Sequence, residues 1–250
     1  MKVLALHNVK GGVGKTAAAV NLAAIAAGRG YRVLLWDLDP QGAASFYFRI
    51  KAKIKGGMGK LVAEKRDLES TIKESDLEGL DVIPADLSAR NMDLLLDDAK
   101  KSEKRLRRLL RSLDGEYDLV ILDCPPGLSL AAEAVFTAAD AVLAPVIPTP
   151  LSVRAFEQVR EFCLENGYRK LPIWGFVSMI DRRKRLHIET EAKLLKDEHL
   201  LHASVPYASE VERMGTERQP ITAHSSPSSA ARLAYEALWN AIDQRFFAVS

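Results

Sequence analysis

Cysteine is scarce: the chain carries only Cys124 and Cys163. A disulfide framework needs more, and a structural zinc site of the usual kind needs four Cys or His ligands at tight spacing. A reducing cytoplasm is therefore the expected compartment. An excess of either charge is lacking too. Lys and Arg number 35 against 33 Asp and Glu, a formal net charge of +2, so bulk charge does not by itself argue for nucleic acid. No apolar run reaches the roughly 18 residues a membrane helix requires. Nor is there a signal peptide, because Lys2 leads at once into a short apolar run and a glycine loop. What remains is ordinary globular material. The 250 residues are 48% hydrophobic and 27% charged, enough for a single domain spanning 1–250 with a sizeable core.

Short runs rich in Val, Ile and Leu recur at Val3 to Leu6, Arg32 to Trp36, Leu80 to Ile83, Leu119 to Leu122, Ala141 to Val146 and Ile173 to Met179. Continuous apolar runs of this length read as strands buried on both faces. Helical spacing lies between them. Ala17 to Ala27 is one helix, stopped by Gly28 and Gly30. Leu106, Leu109, Leu110 and Leu113 make a second apolar face, and Phe156, Val159, Phe162 and Cys163 a third. A loop is expected from Pro220 to Ser229, then a last helix from Ala230 to Phe247. Alternating strand and helix predicts an α/β fold: a mostly parallel twisted sheet with helices on both faces.

The first strand runs into Val9-Lys10-Gly11-Gly12-Val13-Gly14-Lys15-Thr16, followed by a helix that opens with Ala17. A loop between strand end and helix start turns backbone N–H groups and the helix dipole toward phosphates. Glycines let the backbone wrap closely. Lys15 can reach the β- and γ-phosphates, and the Thr16 hydroxyl can ligate Mg²⁺. The usual pattern has glycine where Val9 stands, and this chain adds a second lysine, Lys10. The alternative is a glycine-rich turn with no ligand.

A metal–nucleotide site also needs acids at the carboxyl ends of neighbouring strands. One strand ends in Asp37-Leu38-Asp39-Pro40-Gln41-Gly42, another in Asp123-Cys124-Pro125-Pro126-Gly127. Asp123, after four apolar residues, fits a carboxylate that supports magnesium. Asp37 and Asp39, two apart, point the same way if strand geometry persists. Asp39, beside a turn-forming proline, is the better placed to orient an attacking water. Each of the three could instead be a strand-end capping carboxylate.

These motifs resemble those of the ParA/MinD family of P-loop ATPases, and the Soj-like ParA branch in particular. Lys10 to Thr16 matches its deviant Walker A motif, Asp37 to Gly42 its first switch, and Asp123 to Gly127 its Walker B and second switch. Val82-Ile83-Pro84-Ala85, Ala144-Pro145-Val146 and Pro150-Leu151-Ser152 agree as well, so the likeness spans nearly the whole chain.

The resemblance implies ATP and Mg²⁺ as cofactors and a homodimer sandwiching two ATP molecules. In it Lys10 reaches the partner's phosphates, Lys15 and the residues from Gly11 to Ala17 hold the nucleotide, and Thr16, Asp39 and Asp123 serve the metal and the water. It further implies slow hydrolysis stimulated by a ParB-like or cargo-adaptor protein, non-specific DNA binding and a nucleoid-associated, cytoplasmic location. A plasmid, chromosome or protein assembly would be the cargo. By the same resemblance Asp181, Pro206 and Tyr207 border the base, the last two following a later strand. Each could equally be a loop residue.

Basic residues cluster three times: Arg49, Lys51, Lys53, Lys55 and Lys60; Lys100, Lys101, Lys104, Arg105, Arg107, Arg108 and Arg111; and Arg182 to Arg185. Any of them could hold a phosphate backbone, and any could be a solvated face. The resemblance favours Arg182, Arg183 and Arg185 for DNA, with Arg213 and Arg218 further on. Against it, Glu210 and Glu212 stand where ParA proteins commonly carry basic residues.

Two competing readings remain. A MinD-like membrane protein would end in a basic amphipathic helix. Here Leu233, Leu238, Ile242 and Phe246 make a face expected to pack on the domain, and Phe247 to Ser250 is too short for an anchor, so no membrane is expected. An iron–sulfur enzyme would use cysteines, but Cys124 and Cys163 do not match the ligand contexts. A cobyrinic-acid amidotransferase would need a further glutaminase domain, for which 250 residues leave no room, and no N-terminal DNA-binding extension is expected.

Overall fold

The computed structural model describes residues 1–63, 65–97 and 104–247. Its eight strands are β1 (Lys2–Leu6), β2 (Val33–Asp37), β3 (Lys73–Glu74), β4 (Leu80–Ile83), β5 (Leu119–Asp123), β6 (Ala141–Val146), β7 (Ile173–Ile180) and β8 (Leu200–Pro206). They form one sheet in the order β3-β4-β2-β5-β1-β6-β7-β8. Every pairing is parallel except that of β3 with β4.

The six apolar runs are six of these strands, with ends shifted by a residue or so. Arg32 lies just outside β2, with its backbone N–H donated to the Asp118 carboxylate at 2.9 Å. The two remaining strands are edges. β3 is two exposed charged residues, with no apolar signal to find. β8 alternates buried and open positions near its end. It also absorbs Val205 and Pro206, so only Tyr207 lies beyond the strand.

The crossovers are α1 (Lys15–Gly28), α2 (Ala43–Tyr47), α3 (Gly57–Val62), α4 (Met92–Asp97), α5 (Arg105–Arg111), α6 (Leu130–Ala138), α7 (Pro150–Glu165), α8 (Arg185–Leu194), α9 (Ser209–Glu217), α10 (Ile221–His224) and α11 (Ala230–Phe246). Strand residues alternate between two cores, as a two-residue period demands. Val3, Ala5, Leu34 and Trp36 pack with α3 to α7 on one face. Leu4, Leu6, Val33 and Leu35 pack with α1 and α11 on the other.

Two expectations change. The segment from Pro220 to Ser229 is not all loop: α10 interrupts it, seated by the Asn21 side chain, which accepts the Ile221 N–H at 2.8 Å. In α11, Leu238, Ile242 and Phe246 are buried, but Leu233 is 49% exposed and lies off the packed stripe. No helix among the described residues is long and apolar enough to cross a membrane. Residues 248–250 and the pair Lys100 and Lys101, named above, lie outside the described residues.

Candidate nucleotide and magnesium site

The chain leaves β1 at Leu6 and turns through His7, Asn8 and Val9 into the glycine loop, and α1 begins at Lys15. Two buried polar side chains fix this loop. Asn8 donates through Nδ2 to the Pro145 carbonyl at 2.9 Å and accepts the Lys10 N–H at 3.0 Å. On the other side the Ser178 hydroxyl donates to the Val13 carbonyl at 2.8 Å. Gly14 sits at φ 98, and a Cβ there would lie 2.9 Å from Ser178 Oγ. Only glycine tolerates both the backbone angle and the close approach. Met179, next to Ser178, itself adopts φ 54, a rare angle for a side-chain-bearing residue.

No side chain caps the start of α1. Its first N–H groups therefore face the loop without a helical partner, a ready receptor for an anion. Val13 is buried, Thr16 and Ala17 are half-buried, and Gly11 and Gly12 are exposed. Lys15 is only 7% exposed, and its ammonium donates to the Lys10 carbonyl at 3.3 Å. Burial lowers its pKa, while Asp123, Cys124 and Asp39 oppose that shift. The Lys10 side chain is exposed, and its ammonium has no partner among the described residues. The two lysines thus differ: Lys15 folds into its own loop, and Lys10 projects from it.

The carboxylates gather beside Lys15. Asp37 and Asp123 are register partners on adjacent parallel strands, and both are fully buried. Asp37 Oδ2 accepts the Ser45 N–H at 2.8 Å and the Ser45 hydroxyl at 2.7 Å. Neither Asp123 oxygen has a hydrogen-bond partner, and Asp37 Oδ1 has none either. The Thr16 hydroxyl acts on Asp123 as a favourable dipole, short of hydrogen-bond geometry. Burial, with Asp37 as the next cause, holds the Asp123 pKa well above the usual carboxylate range. Asp37 is raised to about 6, chiefly by burial, with the Ser45 bonds opposing.

Strand geometry does not persist from Asp37 to Asp39. β2 ends at Asp37, and the chain then turns, with the Gly42 N–H bonded to the Asp39 carbonyl at 2.9 Å. Asp39 is half-buried and accepts the Gln41 N–H at 2.9 Å.

Unpartnered buried carboxylate oxygens beside a lysine fit a hard divalent cation. No group of three or more His, Cys, Asp or Glu side chains that could hold a metal exists among the described residues. That suits Mg²⁺, which keeps water and phosphate oxygens rather than demanding a protein cage.

The Asp37 shift has a measurable consequence. Its folded-state pKa of about 6 exceeds the usual 3.8. Its contribution to stability is therefore full below the lower value and lost as pH rises through the upper one. In magnesium-free buffer, Asp37→Asn should gain on the native chain by up to about 3 kcal/mol across that interval, read by urea denaturation at each pH. A difference that stays flat with pH would contradict the assignment.

At the segments expected to border the base, Ile180 pairs with Pro206, and the Tyr207 N–H donates to the Ile180 carbonyl at 2.9 Å. Asp181, Pro206 and Tyr207 are therefore neighbours. Asp181 is already clasped by Arg183, which bonds both carboxylate oxygens at 2.9 Å and holds its pKa down to about 2. Tyr207 is 59% exposed and donates its hydroxyl to Glu212 at 2.6 Å.

The expected DNA contacts are paired within the chain. Arg182 meets Glu191, Arg183 meets Asp181, and Arg185 meets Glu189. Arg218 lies over the Phe46 ring at 4.5 Å and donates to the Phe46 carbonyl. Arg213 is exposed on α9. On α5, Lys104, Arg107, Arg108 and Arg111 line a groove with Thr137. Both cysteines are buried free thiols, and burial pushes Cys163 up to about 12, the wrong direction for a thiolate ligand.

A parallel sheet whose first strand feeds a glycine loop and a helix N-terminus, with acids on the adjoining strands, is the fold and site of a P-loop nucleotide-binding protein. Comparison with known proteins places it further. An AAA domain family matches residues 1–165. The chain is 41% identical over 146 residues to the sporulation initiation inhibitor protein Soj of Bacillus subtilis, covering 58% of each chain. It is 38% identical over 193 residues to the chromosome partitioning protein ParA of Caulobacter vibrioides, covering 74% of this chain and 72% of that one.

Among solved structures, a plasmid partition protein from Borrelia burgdorferi bound to AMPPNP superposes with a TM-score of 0.84 at 22% identity, covering 98% and 99% of the two chains. A cobyrinic acid a,c-diamide synthase from Mycobacterium smegmatis gives 0.81 at 24%, covering 99% and 96%. These two likenesses speak to fold alone. The chain belongs to the ParA branch of the ParA/MinD family of P-loop ATPases. Its match spans little more than half the length of Soj.

Proposed function

We propose that this protein is a ParA-type ATPase that cycles between a monomer and an ATP-bound sandwich dimer, and that the dimer holds non-specific DNA. The observation that carries the reading is Lys10: an exposed, unpartnered cation at the mouth of a loop whose other lysine already occupies it. A cation held outside its own site stabilises phosphoryl charge only when a second subunit brings it to bear, as an arginine finger does.

Within one subunit, the α1 N-terminus and residues Gly11 to Ala17 bind the phosphates and Lys15 neutralises them. Thr16 and Asp123 are the groups that would hold Mg²⁺, which when bound adds positive charge at the phosphates. Asp39 orients the hydrolytic water. Asp37 stays in the wall, anchoring Ser45 and through it the start of α2. Ser45 Oγ also accepts the Ala85 N–H at 2.9 Å, so this anchor ties the first switch to the end of β4. Asp181, Pro206 and Tyr207 border the base.

By likeness to partition relatives, a ParB-like or adaptor protein stimulates turnover, and the protein works in the cytoplasm on the nucleoid. Arg182, Arg183 and Arg185 contact DNA by exchanging internal carboxylates for phosphates, and Arg213 and Arg218 join them. Co-sedimentation tests the reading. With ATP, duplex DNA of arbitrary sequence should bring the protein down, less so as salt rises. Anionic liposomes should not. Binding that ignores nucleotide, or that prefers liposomes, would overturn it.

A further inference from the structure

A cavity of about 210 Å³ lies beside the nucleotide site, and none of the residues from Lys10 to Ala17 lines it. It lies between one face of the sheet and the short helices α3 to α6, and is partly open. Trp36, Met58, Val62, Leu96, Leu106 and Val135 are among its apolar lining. An apolar void of about 150 Å³ stays dry and accepts a benzene-sized guest. This one is larger, so a small organic molecule fits.

The wall is also unfinished. His7 and Trp36 both line it and are almost wholly buried. Neither His7 nitrogen nor Trp36 Nε1 has a hydrogen-bond partner. Buried polar atoms without partners are rare in folded proteins. Burial keeps His7 neutral, with its pKa lowered to about 3, so the interior offers a neutral imidazole rather than a charge.

Two arginines line the cavity: Arg90, which is exposed, and Arg105, which is half-buried. The one acid in the lining, Asp93, is committed: its Oδ1 accepts the Ala131 N–H at 2.9 Å. An apolar lining with guanidinium groups matches an amphipathic monoanion.

We infer that this cavity binds a medium-chain carboxylate, with its chain against Trp36 and Val135 and its head at Arg90. The position gives the occupant leverage. Leu38 and Pro40, either side of Asp39, line the cavity, and so does Cys124 to Gly127, the segment after Asp123. A guest therefore touches both segments expected to move during hydrolysis and alters turnover without meeting the nucleotide. This regulatory half rests on the proposed ATPase; the binding half does not.

The test uses the full chain without nucleotide. 8-Bromooctanoate quenches an indole it touches, so it should quench tryptophan emission saturably, and octanoate should compete. 1-Octanol should bind at least about tenfold more weakly, the loss expected when a charge-assisted contact goes missing. Arg90→Gln should bring octanoate down to the level of 1-octanol. Ala132→Phe, which fills the cavity, should abolish both, with retained ATP binding as the check on folding. Leu109→Phe, at a half-buried position, is the second filler.

Absence of saturable quenching in the native chain, or quenching unchanged in both fillers, would overturn the site. Equal affinity for 1-octanol, or no effect of Arg90→Gln, would overturn the anion. Hydrolysis indifferent to bound octanoate would overturn only the regulatory half. A chain that binds octanoate but hydrolyses no ATP would count against the proposed function and leave the cavity assignment standing.

Discussion

Lys10→Ala should abolish ATP-dependent dimerisation while leaving monomer affinity for ATP within about threefold. The asymmetry follows from the geometry of the loop. Lys15 is buried and bonded to the Lys10 carbonyl, so removing the Lys10 side chain takes nothing from that contact. The Lys10 ammonium has no partner among the described residues, so its deletion leaves no buried group unsatisfied there and the fold should be unaffected. What is lost is a cation available to a second subunit. Trans-acting cations of this kind contribute about 10³ to 10⁵ in hydrolysis rate, so turnover should fall by at least about a hundredfold. Light scattering coupled to size exclusion, with and without ATP, reads the first effect. An unchanged monomer–dimer equilibrium would sink the switch reading.

Asp39→Ala should do the reverse: ATP stays bound, the dimer accumulates, and hydrolysis drops by about 10² to 10⁴, the range for loss of a positioned general base or water-orienting group. Of the three carboxylates, Asp39 alone is not fully buried. Asp37 has one oxygen committed to Ser45, and Asp123 lies beneath Lys15 and Thr16. Asp39 is held only by an N–H two residues on, on a turn beyond the strand, so it can move when a nucleotide arrives. Single-turnover phosphate release, with bound ATP measured in parallel, separates cleavage from binding. Normal turnover in this variant would remove Asp39 from the mechanism.

The site was legible in the sequence where chemistry is written as spacing. Lys10 to Thr16 and the acids at strand ends are local patterns, and the central strands announce themselves as unbroken apolar runs. What the sequence hid is long-range. Asn8 acts on Pro145 across 137 residues, and Ser178 acts on Val13 across 165. A polar residue near a strand end has no periodicity that reveals such a partner. The short helices α3 and α4 carry too few turns for a periodic stripe, and β3 is two charged residues.

The arginines after β7 have partners that the sequence does not show. A run of cations reads as a free patch until the carboxylates that face it, at 181, 189 and 191, are placed in space. That strand geometry stops at Asp37, short of Asp39, is likewise something a two-residue period cannot tell.

Ser178 and Asp181 stand three residues apart at one end of β7. The first holds the phosphate loop through Val13, and the second is the residue proposed to border the base, with Met179 at φ 54 between them. On that proposal one short bend in the backbone would meet a nucleotide at both ends, and selectivity for the whole molecule, rather than for base or phosphate separately, would follow from it.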